Sequence, residues 1–335
     1  MTDLRLRAGK LPVALLRNLL SKAGPLPPEV RLGPAIGEDA CAIEMPAGVL
    51  VAATDPITLT SSAVGSHAVI VNANDVAVMG VRPRWFLAVV LLPEGVGEDE
   101  VRELFQATLD ALARIGATLV GGHTEVTRAV TQPVVVGQML GLSEDGTFVR
   151  SGGVCPGDVV LQIGPTPVEG AAVLAAEATA RLTGLPDELM SRARAALQEP
   201  GISVVEPALL AAELGATALH DPTEGGLSSG LYELAEASGL ALRVDREAVL
   251  WFEPGRAVCE QLGADPWGTL ASGSLLGSFS AARVEYAQAE LSARGFPVRS
   301  IAAAVDGNGA FGSDGQPLPR FERDEVARVL MSVGT

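Results

Sequence analysis

The chain has 335 residues, of which 48% are hydrophobic and 19% are charged, and its formal net charge is -16. This length and composition predict a well-packed globular protein of two domains, and the strong negative charge excludes nucleic acid and anionic membranes as general partners. Lys10 and Lys22 are the only lysines, so a bound polyphosphate would need metal ions, arginines or backbone amides to neutralise it.

Three cysteines, Cys41, Cys155 and Cys259, are widely spaced and odd in number. They form neither a disulfide framework nor a zinc motif, which favours a reducing compartment. The apolar run Leu11–Leu20 is interrupted by proline, arginine and asparagine, so it does not resemble a signal peptide. No apolar run approaches the ~18 residues that a membrane span requires. We therefore expect a soluble, cytoplasmic protein.

The first half of the chain predicts a short helix followed by alternating strands and helices. The helix covers Pro12–Leu20, and a linker rich in proline and glycine follows at Gly24–Pro28. The predicted strands are Ala40–Glu44, Val49–Ala53, Arg84–Leu92, Thr118–Gly121 and Pro133–Leu142, and the predicted helices are Ser66–Met79 and Glu98–Ile115. The turn-rich segment Ser151–Asp158 then indicates a domain boundary.

The second half predicts a further α/β unit. Its predicted strands are Val159–Ile163, Thr217–Leu219, Leu240–Val244, Gly268–Ser280 and Val298–Ala304, and its predicted helices are Val168–Thr179, Pro186–Leu197, Ser203–Leu214, Leu227–Ser238 and Val284–Arg294. The polar tail Asp306–Arg323 is expected to loop over the surface. The chain is therefore divided into an N-terminal segment (1–32), a first domain (33–152) and a second domain (153–335).

The stretch 69–83 places three polar residues, Asn72, Asn74 and Asp75, inside an apolar run. Read as a helix, it puts Asn72, Asp75 and Met79 on one face, and Gly80 ends it. A carboxylate is costly to bury unless something pairs with it, so this helix is expected to aim an acid inward beside the central sheet. The alternative is a polar side chain satisfied by local caps.

Three further motifs interrupt strand-like runs, and each carries acids. They are GEDA (37–40), VAATDP (51–56) and LVGGHTEV (119–126). Acids at the ends of several strands can converge in space, and Mg²⁺ is held by a few carboxylates together with substrate phosphates. Taken singly, each acid is better interpreted as an ordinary turn residue, and only the set favours a metal site.

The segment HDPTEGG (220–226) combines an acid with the start of a helix. Asp221 precedes a proline, which keeps it out of helical geometry, and Gly225 and Gly226 then open a helix. Free backbone N–H groups beside Asp221 and Thr223 would face an anion. A plain N-cap is an equal alternative. The usual nucleotide-loop, metalloprotease and hydrolase motifs are absent from the sequence.

These motifs, in this order, resemble the aminoimidazole ribonucleotide (AIR) synthetase superfamily, which includes PurM, HypE, thiamine-monophosphate kinase and selenophosphate synthetase. The resemblance rests on GEDA, TDP (54–56), VNANDVAVMG (71–80), GGHTEV (121–126) and DPTEGG (221–226). The HypE-like, hydrogenase-maturation branch fits best, because of GKLPVALLRNLL (9–20), RPRWF (82–86) and ELAEASG (233–239).

The resemblance implies a two-domain α/β fold in which the N-terminal mixed sheets of two chains pair into a barrel-like homodimer. It implies ATP and Mg²⁺ as cofactors, with metal ligands at Asp39, Asp55 and Asp75. Because His123 stands where many members have a metal-binding aspartate, either Glu125 supplies the missing oxygen or one metal ion is bound less tightly. Lys10 matches a segment that reaches over the phosphates. The residues expected to contact the cofactor are Asn72, Gly121, Gly122, Thr124, Thr223, Gly225 and Gly226.

The expected reaction is the ATP-dependent phosphorylation or activation of an amide or carbamoyl-type oxygen on a small molecule or a protein, with Asp221 orienting or deprotonating the attacking oxygen. Two departures from the family pattern leave alternatives open. His123 stands where many members have aspartate, and no cysteine follows Cys259 to carry a carbamoyl group. The alternatives are a nucleotide-binding maturation module without turnover and a small-molecule kinase like thiamine-monophosphate kinase.

Overall fold

The computed structural model describes residues 30–32, 36–38, 41–45, 48–57 and 63–331, together with Val13. The candidates Lys10 and Asp39, and the predicted helix Pro12–Leu20 apart from Val13, lie outside these residues. Within them, the alternation of strands and helices predicted from the sequence is confirmed, and so is the α/β class.

A six-stranded sheet is built from the first half of the chain. Its strands are β1 (Val30–Leu32), β2 (Cys41–Met45), β3 (Gly48–Ile57), β4 (Pro83–Pro93), β5 (Thr118–Thr127) and β6 (Val134–Ser143). The strand order is β1-β2-β3-β6-β4-β5. Strands β4 and β5 run parallel, and the other neighbours are antiparallel, so the sheet is mixed as predicted.

Two helices cover one side of this sheet. Helix α1 (Val64–Ala77) lies against β3 and β6, and helix α2 (Glu98–Ile115) packs on α1. The predicted bounds of α2 are confirmed, because its apolar stripe has a helical period and Gly116 ends it with a left-handed φ of 71°. The acid-bearing stretch is helical as predicted, since α1 contains all three of its polar residues.

A second six-stranded sheet is built from the second half. Its strands are β7 (Val159–Ile163), β8 (Ala218–His220), β9 (Ala241–Val244), β10 (Leu275–Phe279), β11 (Val298–Val305) and β12 (Gly309–Gly312). The order is β12-β9-β11-β7-β10-β8, with only the β12–β9 pair parallel.

Seven helices accompany the second sheet in the described part of the chain. They are α3 (Glu169–Glu177), α4 (Asp187–Arg194), α5 (Val205–Glu213), α6 (Gly226–Ser238), α7 (Glu253–Leu262), α8 (Val284–Ala293) and α9 (Glu325–Met331). Helix α6 lies on β9 and β12, whereas α3, α4, α7 and α9 enclose a separate apolar cluster. Helices α5 and α8 lie on the other side of the sheet, toward the first half.

The structure corrects four predictions about these elements. The tail Asp306–Arg323 is not only a surface loop, because β12 adds a parallel edge strand to β9. Helix α7 was not predicted. The strand predicted at Gly268–Ser280 is confined to β10, since a tight 3-10 turn and a loop occupy the residues before it. Strand β1 extends the first sheet where only an N-terminal segment was expected.

Two acid-bearing motifs lie inside strands rather than at strand ends. Strand β5 continues to Thr127 because it pairs with β4 along its whole length, and it therefore contains the GGHTEV motif. Strand β3 continues to Ile57, so Asp55 also lies within a strand and is paired with Gly137 of β6.

The two halves of the chain share one apolar core. A single cluster of buried side chains runs from the helix-covered side of the first sheet to β7, β10, α5 and α8 of the second. At this junction the fully enclosed amide of Asn74 donates to the carbonyl of Ile202 at 2.9 Å and accepts from the amide of Val204 at 2.9 Å. Helix α1 is therefore bonded to the second half as well as packed against it.

The other side of the first sheet is apolar, and no helix of the described residues packs on it. Register places ten apolar residues on this side, and none of them is fully buried: Leu50, Ala52, Trp85, Leu87, Val89, Leu91, Val134, Val136, Leu140 and Leu142. Val89 in strand β4, which lies between β6 and β5, is 38% exposed. We call this surface the open face. No helix in the described residues is long and apolar enough to cross a membrane.

The substitution Asn74→Ser should lower the free energy of unfolding by about 2–4 kcal/mol, because it leaves two buried main-chain groups without partners. Urea unfolding followed by circular dichroism measures this loss. The matched control is Asn308→Ser, which changes an exposed asparagine and should cost about 0.5 kcal/mol or less. Equal effects of the two substitutions would contradict the bonding role of Asn74.

Candidate functional site

Asn72 joins helix α1 to strand β3 at Asp55. The Asn72 Oδ1 atom accepts from the Asp55 amide at 2.8 Å, and its Nδ2 atom donates to the Asp55 carbonyl at 3.2 Å. The same nitrogen donates to the Ala68 carbonyl one turn back, at 2.8 Å. Since the side chain is 0% exposed, both ends of the amide are used within the fold.

A glycine in the neighbouring strand admits this asparagine. A Cβ atom on Gly137 would lie 2.4 Å from Nδ2 of Asn72 and 2.8 Å from the ring of Phe86. Both distances are shorter than real Cβ atoms allow, so only glycine fits here. The pattern is typical of a strand glycine that marks the close approach of another group.

The arrangement brings Asp55 and Asp75 to the same side of the sheet. Asp55 is paired with Gly137, directly opposite residues share a face, and Gly137 lies beneath the Asn72 amide. Asp75 lies one turn after Asn72 on α1 and is 9% exposed, whereas Asp55 is exposed. Both carboxylates therefore belong to the helix-covered side.

The GGHTEV motif divides between the two sides of the sheet. His123 pairs with Val89 and Glu125 with Leu91, so both project on the open face, where they form an exposed pair at 3.4 Å. Thr124, which lies between them and pairs with Val90, projects on the helix-covered side. Gly122 has a φ of 148°, and a Cβ there would lie 2.0 Å from the Ala88 carbonyl. Within one chain, register thus separates Glu125 from the side that carries Asp55.

The described part of the GEDA motif docks on the second half of the chain. A Cβ on Gly37 would lie 2.8 Å from the carbonyl of Glu233 in α6, and a Cβ on Gly152 would lie 3.4 Å from the Glu38 carboxylate. This glycine-mediated contact places the loop that precedes Asp39 beside helix α6.

The HDPTEGG segment lies at the start of that helix, between β8 and α6. His220 at the end of β8 forms a buried pair with Glu233 of α6, with 3.0 Å between Nε2 and Oε2. Asp221 follows directly and is 4% exposed. The His220–Glu233 contact ties the strand to the helix and thereby fixes the turn that carries Asp221.

Gly225 and Gly226 turn the chain into α6 with successive φ values of 82° and 71°, a geometry that requires glycine. The Gly225 amide donates to the Asp324 carboxylate at 2.8 Å, and the same carboxylate accepts from the Val326 amide at 2.8 Å. Asp324, from the C-terminal tail, therefore accepts the hydrogen bond of the helix-start N–H that the sequence predicts to face an external anion.

Burial, with a smaller contribution from the nearby charge of Glu224, raises the pKa of the Asp324 carboxyl to about 7. The hydrogen bonds from backbone amides oppose this shift. Asp324 therefore changes its charge near neutral pH, at a contact that links the tail to the DPTEGG turn.

The donor chemistry on the helix-covered side fits a magnesium ion in part. Carboxylate oxygens are the ligands that Mg²⁺ prefers, and Asp55 and Asp75 supply two of them there. Among the described residues no three His, Cys, Asp or Glu side chains come together as a metal cluster. Mg²⁺ usually takes one or two carboxylates from the protein and completes its coordination with substrate phosphates and several waters. Two carboxylates are therefore a sufficient contribution from the protein.

Several residues of this site were missed by sequence reasoning. An isolated glycine inside a predicted strand, such as Gly137, is a signal for close approach that was available in the sequence. Glu233 and Asp324 had no such signal, because their partners lie 13 and 99 residues away along the chain.

Two mixed sheets, a shared core and the acids Asp55 and Asp75 beside and on the helix that joins the halves define a two-domain α/β protein with a candidate metal site. The family model described as AIR synthase related protein, N-terminal domain, matches residues 37–143, and the corresponding C-terminal domain model matches residues 155–314. The chain belongs to the AIR synthase related family, which confirms the resemblance found in its sequence.

Relatives and solved structures agree with this assignment. Carbamoyl dehydratase HypE from Azotobacter vinelandii is 30% identical over 254 residues, which cover 74% of this chain and 72% of the relative. The HypE–HypF complex contains a chain with a TM-score of 0.74 at 21% identity, covering 92% of this chain and 100% of that one. Hydrogenase maturation protein HypE in complex with ATP has a TM-score of 0.69 at 24% identity, covering 88% and 92%.

The substitution Asp324→Asn should change the pH dependence of stability. Because the folded carboxyl has a pKa above its ordinary value near 3.8, folding takes up a proton between the two values, and the stability this group gives is lost as the pH rises through about 7. Asparagine does not titrate. The variant also loses one accepted hydrogen bond, which lowers its stability equally at every pH. We expect the free energy of unfolding of the variant, relative to that of the native chain, to rise by about 2 kcal/mol between pH 5 and pH 8.

Thermal unfolding of both proteins across this pH range measures the difference. A gap that stays constant from pH 5 to pH 8 would contradict the raised pKa of Asp324.

Proposed function

We propose that the chain is an ATP- and Mg²⁺-dependent enzyme of the HypE-like branch that phosphorylates or activates an amide or carbamoyl-type oxygen. The observation that carries the proposal is the Asn72 bridge, which holds Asp55 and Asp75 on one side of the sheet. The similar HypE structure is described in complex with ATP, and the relative from Azotobacter vinelandii is named a carbamoyl dehydratase.

In this proposal the two carboxylates bind Mg²⁺ and the DPTEGG turn positions the substrate. When bound, Mg²⁺ would neutralise the phosphates and polarise the phosphoryl group that is transferred. A chain with a net charge of -16 and two lysines relies on such neutralisation. Asp39 and Lys10, as a further ligand and a phosphate contact, remain predictions.

Asp221 is the proposed acid–base residue. It is almost fully buried, on a turn held by the His220–Glu233 pair, and a carboxylate in such a place is suited to orient the attacking oxygen or to take its proton. Thr223, Gly225 and Gly226 shape the same turn. The contribution of the Gly225 amide to nucleotide binding would require the Asp324 carboxylate to release it.

The proposed assembly is a cytoplasmic homodimer in which the open faces of two chains cover each other. Ten incompletely buried apolar residues on one side of a sheet need a partner surface of similar character. His123 and Glu125 lie on this face, so the pairing would bring them to a neighbouring chain. A protein that supplies the carbamoyl-type group is the proposed second partner, in line with the HypE–HypF complex.

The substitutions Asp55→Asn and Asp75→Asn should each reduce Mg²⁺-dependent ATP turnover at least about 100-fold, because each removes a metal-binding carboxylate. ADP formation and phosphate release are measured with a carbamoylated acceptor peptide, with free thiamine monophosphate and with no acceptor. Turnover that requires the carbamoyl acceptor supports the proposal, and turnover that requires the thiamine compound overturns the substrate class.

The control for this experiment is Asp306→Asn, which alters an exposed acid outside the site. Full ATP use by both Asp55 and Asp75 variants would refute the metal assignment. Binding of Mg·ATP in calorimetry without formation of ADP under any of these conditions would instead indicate a nucleotide-binding module.

The substitution Val89→Lys should convert the proposed dimer to a monomer, because it places a charge on the apolar open face beside Val136. Light scattering during gel filtration should give a mass near twice 34.4 kDa for the native chain and near 34.4 kDa for the variant. The matched control is Leu109→Lys, which changes an exposed apolar residue of α2 and should leave the dimer intact. A monomeric native chain at micromolar concentration is the contrary outcome.

A further inference from the structure

We propose that Asn72 is a positioning residue that sets the separation of the two metal-binding carboxylates, and that Gly137 is the residue that makes this possible. The inference rests on the proposed function, since it takes Asp55 and Asp75 to be the metal ligands. Asn72 contacts no reacting atom in this scheme. It acts through the backbone of Asp55 on one side and through its own helix on the other.

The hydrogen bonds of Asn72 define a rigid link. One side-chain amide satisfies both main-chain groups of Asp55, so the strand cannot slide or rotate at that residue without breaking two bonds. The third bond, to the Ala68 carbonyl, fixes the side chain on α1. Asp75 is three residues further along the same helix, and its position relative to Asp55 therefore follows from this link.

The space for the link is created by the missing side chain at Gly137. The ideal Cβ of that residue would stand 2.4 Å from the amide nitrogen and 2.9 Å from the amide carbon of Asn72. Any side chain at 137 would thus push the amide away from Asp55. Gly137 is also paired with Asp55 in the β3–β6 ladder. The Asn72 side chain therefore passes above Gly137 and bonds the main chain of Asp55 in the neighbouring strand β3.

The neighbouring residue Asn74 provides a matched comparison for the link between Asn72 and Asp55. Asn74 lies on the same helix, is equally buried and also makes a paired donor and acceptor contact with main chain. Its partners, however, are Ile202 and Val204 of the second half, so it fixes the domain junction. Substituting each of these two asparagines in turn therefore distinguishes an effect on metal positioning from an effect on general stability.

The test compares Asn72→Ser with Asn74→Ser. A serine hydroxyl at position 72 can still bond the carbonyl four residues back, as Thr108 does to Leu104 in α2 at 2.9 Å, so the helix is kept and only the link to Asp55 is lost. Binding of Mn²⁺, a paramagnetic substitute for Mg²⁺, is titrated by electron paramagnetic resonance in the presence of a non-hydrolysable ATP analogue.

We expect Asn72→Ser to weaken Mn²⁺ binding about 10-fold or more, the usual effect of removing a group that orients a ligand. Asn74→Ser should lose comparable stability in urea and stay within about twofold of the native metal affinity. Equal weakening by the two variants, or unchanged affinity in Asn72→Ser, overturns the positioning role.

Two further variants keep the test decisive. If Asn72→Ser does not fold, Asn72→Thr fills more of the space while still lacking the bridge, and the same weakening is expected. Gly137→Ala displaces the amide without changing it and should weaken Mn²⁺ binding in the same direction; native affinity in this variant contradicts the role of the glycine.

Asp55→Asn separates this inference from the proposed function. Loss of Mn²⁺ binding in Asp55→Asn with native binding in Asn72→Ser rejects the positioning role and keeps the metal site. Native Mn²⁺ binding in Asp55→Asn rejects the metal site, and the inference falls with it.

Discussion

Two buried asparagines on helix α1 bond it to strand β3 and to the second half of the chain, beside the proposed metal site. An enclosed amide is unfavourable unless its donors and acceptor are used, and here both asparagines bond main chain outside their helix, Asn72 also bonding Ala68 within it. Asn72 bonds strand β3, and Asn74 bonds the segment before α5. Helix α1 thus couples the first sheet to the second half of the chain, and Asp75 lies beside both contacts.

The first sheet has two sides with different properties, and this division organises the proposed function. The helix-covered side carries the carboxylates and the asparagine bridge, while the open face is apolar and carries His123 and Glu125. A single chain therefore cannot gather Glu125 with Asp55 by register alone. Contribution of the GGHTEV motif to the same metal site would come from the facing chain of the proposed dimer, so dimerisation and metal binding would be linked.

The sequence predicted elements whose signal is local. The bounds of Glu98–Ile115 follow from a helical period and a terminal glycine, and the polar run 72–75 was correctly placed on a helix. Strand ends were less predictable, because β3 and β5 continue for as long as a neighbouring strand offers hydrogen bonds. The parallel edge strand β12 and the contact of Asp324 with Gly225 depend on partners that are distant along the chain, and no local pattern encodes them.

The contact of Asp324 with Gly225 also bears on the two interpretations of HDPTEGG. A helix start with free N–H groups attracts anions, but here the tail supplies the anion and the carboxylate also begins α9. With that amide used inside the protein and lysine almost absent from the chain, the charge of a triphosphate must be met elsewhere. Cations bound by Asp55 and Asp75, as proposed, would meet part of that need beside the arginines, which is consistent with a metal-dependent nucleotide site.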